Sequence, residues 1–203
     1  MAKLYFRFGA MGSSKTANAL MTKFNYEEKG KFVWLIKPAV DTRDDSVVNG
    51  QRKAMISSRI GLSAEADAIN TDTDILELWK EKQKQQNIDV IICDECQFLG
   101  TEQVTQLRDI ASFSDIPVLC FGLRTDFTGR LFSGSKRLFE VADSIAEIKS
   151  ICECGEKAII NARVDGDGSI LYHGNTFLLG GNDRYKGMCW KCWRKEDDKY
   201  WSV

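Results

Sequence analysis

Two clusters of residues in this chain have the types and spacing for phosphate chemistry. Gly9, Ala10, Met11, Gly12, Ser13, Ser14, Lys15 and Thr16 follow the apolar run Lys3–Phe8 and match Gly-x-x-x-x-Gly-Lys-Ser/Thr except at Ser14. A loop of small residues that opens a helix presents bare N–H groups, which together with the helix dipole favour an anion. In that setting Lys15 pairs with β- and γ-phosphate oxygens, and Thr16 offers its hydroxyl to Mg²⁺. The same small residues suit a flexible turn, and the loop alone does not choose between the two. If position 14 needs a positive φ, serine costs roughly 1–2 kcal/mol there. If it already lies inside the helix, the cost is small.

The second cluster ends the run Ile88–Glu95, where an apolar stretch closes on Asp94 and Glu95. An acid at the end of such a strand holds Mg²⁺, often through water, and Asp94 takes that role. Strand side chains alternate, so Glu95 is expected to point away from Asp94. Beside a γ-phosphate, Glu95 can take a proton from an attacking hydroxyl or orient an attacking water. With the loop also present, a merely solvated acidic turn is the weaker reading.

Four cysteines form a third constellation. Cys152 and Cys154, then Cys189 and Cys192, supply the tetrahedral thiolate set of a closed structural zinc site. Of the seven cysteines, Cys93, Cys96 and Cys120 remain; Cys93 and Cys120 read as buried and Cys96 as a space-filling neighbour of Glu95. His173, the only histidine, reads as a polar loop residue rather than a ligand or base.

These groups need a scaffold. Lys3–Phe8, Lys31–Ile36, Ile88–Cys93, Ile116–Phe121 and Ser144–Ile148 are short apolar runs that suit strands covered on both faces. Between them Lys15–Lys29, Asp74–Gln86, Thr101–Phe113 and Ser135–Ala142 have helical character, with Thr73 placed to cap the second. The alternation predicts an α/β fold: a doubly wound, mainly parallel sheet with a phosphate loop. Pro38–Asn70 is irregular and polar and reads as a long functional excursion. After Ser150 the character changes, and Asp165–Gly168 signals a hairpin between Lys157–Arg163 and Ser169–Tyr172. The charged stretch Arg194–Val203 reads as a frayed tail. The expected division is a nucleotide-binding domain over residues 1–150 and a small C-terminal zinc-binding unit over 151–203.

Length and composition agree. A chain of 203 residues, 43% apolar and 28% charged, can bury a core without disulfides and is not a disordered polymer. A formal charge of −1 argues against a nucleic-acid coat. Neither a signal peptide nor a membrane-spanning run is expected, so the predicted setting is a reducing cytoplasm, with neither nucleic acid nor membrane as partner.

At Asp94-Glu-Cys-Gln-Phe98 the chain resembles the thymidine kinases that carry a zinc-bearing lasso. The resemblance continues through Lys37–Arg43, Ser58–Leu62, Phe121–Phe127, Gly180–Tyr185 and Cys189–Cys192. It implies ATP as phosphate donor, Mg²⁺, a structural Zn²⁺, and thymidine, with deoxyuridine beside it, as acceptor. Glu95 is then the base acting on the 5′-hydroxyl, while Cys96, Gln97, Arg43 and Arg59 join the phosphate loop around ATP. Met11, Leu123, Phe127 and Phe132 would enclose the base, and Thr176, Phe177, Leu178, Leu179, Gly180 and Tyr185 would close a lasso over it. The family resemblance further implies a homotetramer inhibited by dTTP. Two rivals stand beside this reading: a nucleotide-hydrolysing motor in which Glu95 orients water, and a zinc-ribbon adaptor for nucleic acid.

Overall fold

The computed structural model describes residues 2–48, 50–174 and 184–195. The chain runs through β1 (Leu4–Phe8), α1 (Lys15–Glu27), β2 (Val33–Pro38), β3 (Ser46–Val48), β4 (Gln51–Lys53), β5 (Met55–Ser57), β6 (Ser63–Glu65) and β7 (Asp67–Ile69). It continues through α2 (Ile75–Gln85), β8 (Val90–Cys93), a 3₁₀ turn at Cys96–Phe98, α3 (Thr101–Phe113), β9 (Val118–Gly122), α4 (Ser133–Val141) and β10 (Ser144–Glu147). The last elements are β11 (Ile160–Val164), β12 (Ile170–Leu171), β13 (Tyr185–Met188) and α5 (Trp190–Lys195).

The main sheet has the order β10-β1-β9-β8-β2-β7, and every adjacent pair is parallel. Its strands read as continuous apolar runs because both faces are covered. Along β8, Ile91 and Cys93 enter one core layer with Leu107, Ile110 and Leu138, while Val90 and Ile92 enter the other with Ala19, Leu20 and Phe121. Helices therefore lie on both faces, and the five expected strands and four expected helices are all present. Parallel strands align their carboxyl ends along one edge, which is where the loops after β1, β8 and β9 emerge.

Two details of this part depart from expectation. The α2 cap is Asp74, whose Oδ1 accepts the Glu77 N–H at 2.9 Å; Thr73 instead accepts the Asn70 N–H through its hydroxyl. The excursion is more ordered than its polar sequence suggests. It holds two small antiparallel hairpins, β3–β4 and β5–β6, and β7, which joins the main sheet beside β2. Strands of three residues carry too little pattern to be read from sequence. Buried Lys37 pins this excursion down, donating to Asp45 Oδ1 at 2.8 Å and to the Met55 carbonyl at 2.7 Å.

The C-terminal part is a separate antiparallel sheet of order β12-β11-β13. The predicted hairpin is present, but β13 is a further strand, and the predicted tail begins inside α5. Among the described residues, Ile160, Ala162 and Trp193 form its buried apolar cluster.

Candidate active site

The loop after β1 has the backbone that anion nests require. Gly12 sits at φ +79° and Ser14 at φ +60°, both in the left-handed region. Position 14 therefore does need a positive φ, and serine occupies it at a steric cost. Gly9 is fixed for a different reason: a Cβ there would come 2.3 Å from the Ile148 carbonyl oxygen. Lys15 is buried and turns its Nζ back to the Ala10 carbonyl at 2.9 Å and the Ser13 hydroxyl at 3.4 Å. Burial lowers its pKa, opposed by the charges of Glu95 and Asp94.

Asp94 and Glu95 both line the same cavity but engage different partners, and strand alternation is not the reason. β8 ends at Cys93, and Glu95 adopts φ +51°, which turns the chain into the 3₁₀ turn. Asp94 is buried and engages the Thr16 hydroxyl; burial first, and then the Glu95 charge, raise its pKa. Glu95 instead accepts from Arg43 Nη2 at 2.6 Å and from the Gln97 amide. Burial pushes the Glu95 carboxyl up, but Arg43 and then Lys15 outweigh it and hold it below its ordinary value. Gln97 in turn accepts the Leu123 N–H at 2.9 Å through Oε1, so one side chain links the acid to the β9 loop.

These groups line one cavity of about 490 Å³, shared by Met11, Lys15, Thr16, Arg43, Arg59, Asp94, Glu95, Gln97, Leu123, Phe127, Phe132 and Tyr185. Phe127 is fully buried, and Phe132 meets Phe98 edge-on at 5.5 Å between centroids. Arg59 is exposed, and its Nη1 lies 4.0 Å from where a Cβ on Gly12 would sit, so its guanidinium overhangs the phosphate loop. Cys96 is wholly buried behind the acid and packs in the core layer with Cys93 and Cys120. Thr176, Phe177, Leu178, Leu179 and Gly180 lie outside the described residues.

Sequence reasoning missed several participants. Asp41 is buried and grips Arg43 through Oδ1 at 2.6 Å and Oδ2 at 3.2 Å, so it aims the guanidinium at Glu95. Its two-residue spacing from Arg43 was the available signal. Asp126 closes the turn after β9 by accepting from the backbone N–H groups of Thr128 and Arg130. From β11, a strand remote in sequence, Asn161 lines the cavity and Arg163 stacks on Phe127.

The four cysteines converge. The Sγ atoms of Cys152, Cys154, Cys189 and Cys192 all lie within 4.8 Å of one another, and Cys154 and Cys189 are 3.7 Å apart. That separation is the edge expected of a thiolate tetrahedron around Zn²⁺, about 3.8 Å for Zn–S bonds near 2.3 Å. The donor set and spacing fit the metal. Among the described residues no helix is long and apolar enough to cross a membrane.

A parallel doubly wound sheet with a phosphate loop after its first strand and an acid pair facing it defines a nucleotide-binding, phosphoryl-transfer protein. A family model described as thymidine kinase matches residues 2–193. The chain is 44% identical over 195 residues to the thymidine kinase of Enterobacteria phage T4, spanning 96% of this chain and 97% of that protein. It is 43% identical over 189 residues to the thymidine kinase of Vibrio cholerae, spanning 93% and 95% of the two chains. Against the thymidine kinase of Shewanella oneidensis the identity is 38% over 195 residues, covering 96% and 98%. The chain belongs to the thymidine kinase family.

Proposed function

We propose that this protein transfers the γ-phosphate of ATP to the 5′-hydroxyl of thymidine, and of deoxyuridine, in nucleotide salvage. The observation that carries the reading is the placement of Glu95. It shares one cavity with Lys15 and Thr16 of the phosphate loop and with Leu123, Phe127 and Phe132. A hydroxyl held by the apolar wall can thus meet a phosphate held by the loop, with a carboxylate beside both.

In the free enzyme Glu95 is paired with Arg43. A γ-phosphate competes for that guanidinium, and its departure frees the carboxylate to accept the hydroxyl proton. Lys15 exchanges the Ala10 carbonyl for phosphate oxygens in the same step, and the backbone N–H groups of 12–16 hold the rest of the chain of phosphates. Mg²⁺ arriving with ATP would be held by Thr16 and Asp94 and would neutralise phosphate charge. Arg59 stands over the loop as a second cation.

Zn²⁺ would be held by Cys152, Cys154, Cys189 and Cys192 and would supply stability, since four thiolates leave no open position for catalysis. The reading divides the chain into a kinase domain over 1–150 and a zinc-bearing lasso domain over 151–203, with 176–180 and Tyr185 closing on the base. From the family resemblance it extends to a cytoplasmic homotetramer inhibited by dTTP.

The test is incubation with labelled ATP, Mg²⁺ and a nucleoside panel. Thymidine should give its monophosphate; phosphate release without nucleoside dependence would favour a hydrolase. Glu95→Gln should lower kcat by at least about 10²-fold, at the low end of general-base effects, while ADP binding survives. Lost ADP binding would make Glu95 structural.

A further inference from the structure

We infer that Asn161 is a positioning residue that sets the distance between the phosphate loop and the nucleoside loop. The inference rests on assigning 9–16 to phosphate and 123–132 to nucleoside, and it adds a component from the zinc-bearing sheet. Asn161 is 3% exposed and sits on β11. Its Oδ1 accepts the Met11 N–H at 2.7 Å, and its Nδ2 donates to the Thr125 carbonyl at 3.1 Å. One end of the amide therefore holds the phosphate loop and the other holds the nucleoside loop. Only one amide orientation satisfies both partners, because a backbone N–H needs the oxygen and a carbonyl needs the nitrogen.

The surroundings make this bridge rigid. Gly187 on β13 is the cross-strand partner of Asn161, and a Cβ on it would lie 3.1 Å from the Met11 carbonyl oxygen. The sheet thus presses on both polar groups of the Met11 backbone. Two residues along β11, on the same face, Arg163 is 5% exposed and stacks its guanidinium 3.9 Å from the Phe127 ring centroid. It also donates to the Tyr185 hydroxyl at 2.8 Å. Two neighbouring contacts from one strand face therefore fix both sides of the cavity relative to each other.

The two loops leave different strands, β1 and β9, and beyond the strand ends their spacing depends on such cross-links. In-line transfer needs the acceptor oxygen and the phosphorus about 3–3.5 Å apart, and a displacement of 1 Å can cost about 10²-fold. A positioning defect should therefore appear in kcat more than in nucleoside binding.

Asn161→Asp and Asn161→Leu test this. Aspartate keeps shape and the acceptor for Met11 but sets an oxygen against the Thr125 carbonyl; leucine removes both bonds. Activity is normalised to ADP-binding stoichiometry measured by calorimetry, so any misfolded fraction drops out. The expected result for both is a fall in kcat of about ten- to a hundredfold, with thymidine KM, ADP affinity and zinc content each within threefold of wild type. Unchanged kcat, or a defect confined to thymidine KM, overturns the inference, the latter by making Asn161 a simple contact to the base. A wild-type enzyme that makes no nucleoside monophosphate overturns both readings; an active wild type with unaffected variants overturns only the role of Asn161.

Discussion

At the scale of single residues, the site stores strain in two non-glycine positions. Ser14 and Glu95 both sit at positive φ, one in the phosphate loop and one at the turn that presents the acid. For Ser14 the strain can be removed without touching a reacting group. Glycine would relieve roughly 1–2 kcal/mol of left-handed strain and lose about 0.5–1 kcal/mol to the freedom of the unfolded chain. Ser14→Gly should therefore stabilise the free protein by a few tenths to about 1 kcal/mol, read as a higher urea midpoint, whereas Ser14→Ala should not. Equal midpoints for all three would mean that the loop is not strained there. The sequence announced the residue and the condition; only the backbone shows that the condition is met. The pairing of Arg43 with Glu95 was not legible, because it depends on how a polar excursion folds back over the sheet edge.

At the scale of elements, legibility followed apolar pattern. β2 and β8 are buried on both faces and were plain in the sequence, whereas β3 to β7 have three residues each and were not. The connections between elements carry testable electrostatics. Asp74 caps α2, so Asp74→Ala should cost about 1 kcal/mol in denaturant unfolding, while Thr73→Ala costs less. Asp143, on the link from α4 to β10, accepts the Leu4 N–H at 2.8 Å and pairs with Arg108 on α3. The Leu4 bond, opposed by burial and helped by Arg108, holds its carboxyl below the ordinary value. A depressed folded-state pKa adds stability above the unfolded value, near 3.9, and that stability is lost as pH falls through the folded one. Asp143→Asn should therefore be less stable than wild type at neutral pH, with the gap closing in the acid range. A gap that persists below about pH 2 would show that the loss is steric.

At the scale of the whole molecule, the C-terminal sheet is too small to stand alone and yet it braces the cavity. Among the described residues its buried apolar cluster is Ile160, Ala162 and Trp193, so a metal knot is the natural source of its order. Through Asn161, Arg163 and Gly187 that order reaches the loops after β1 and β9. The spacing of the four cysteines was readable from the chain, but the bracing was not, because two polar residues in an apolar strand do not announce their partners. Replacing one ligand should separate the two parts. Cys189→Ser should release the zinc, seen by metal analysis, and leave the β1–β10 sheet folded, seen by ADP-induced stabilisation against heat. Thymidine turnover should fall by at least as much as in Asn161→Leu, because every link from β11 loosens together. A zinc-free variant with wild-type turnover would mean that the C-terminal sheet keeps its grip on Met11 and Thr125 without metal, and that the main sheet alone orders it. Unchanged metal content would remove Cys189 from the ligand set.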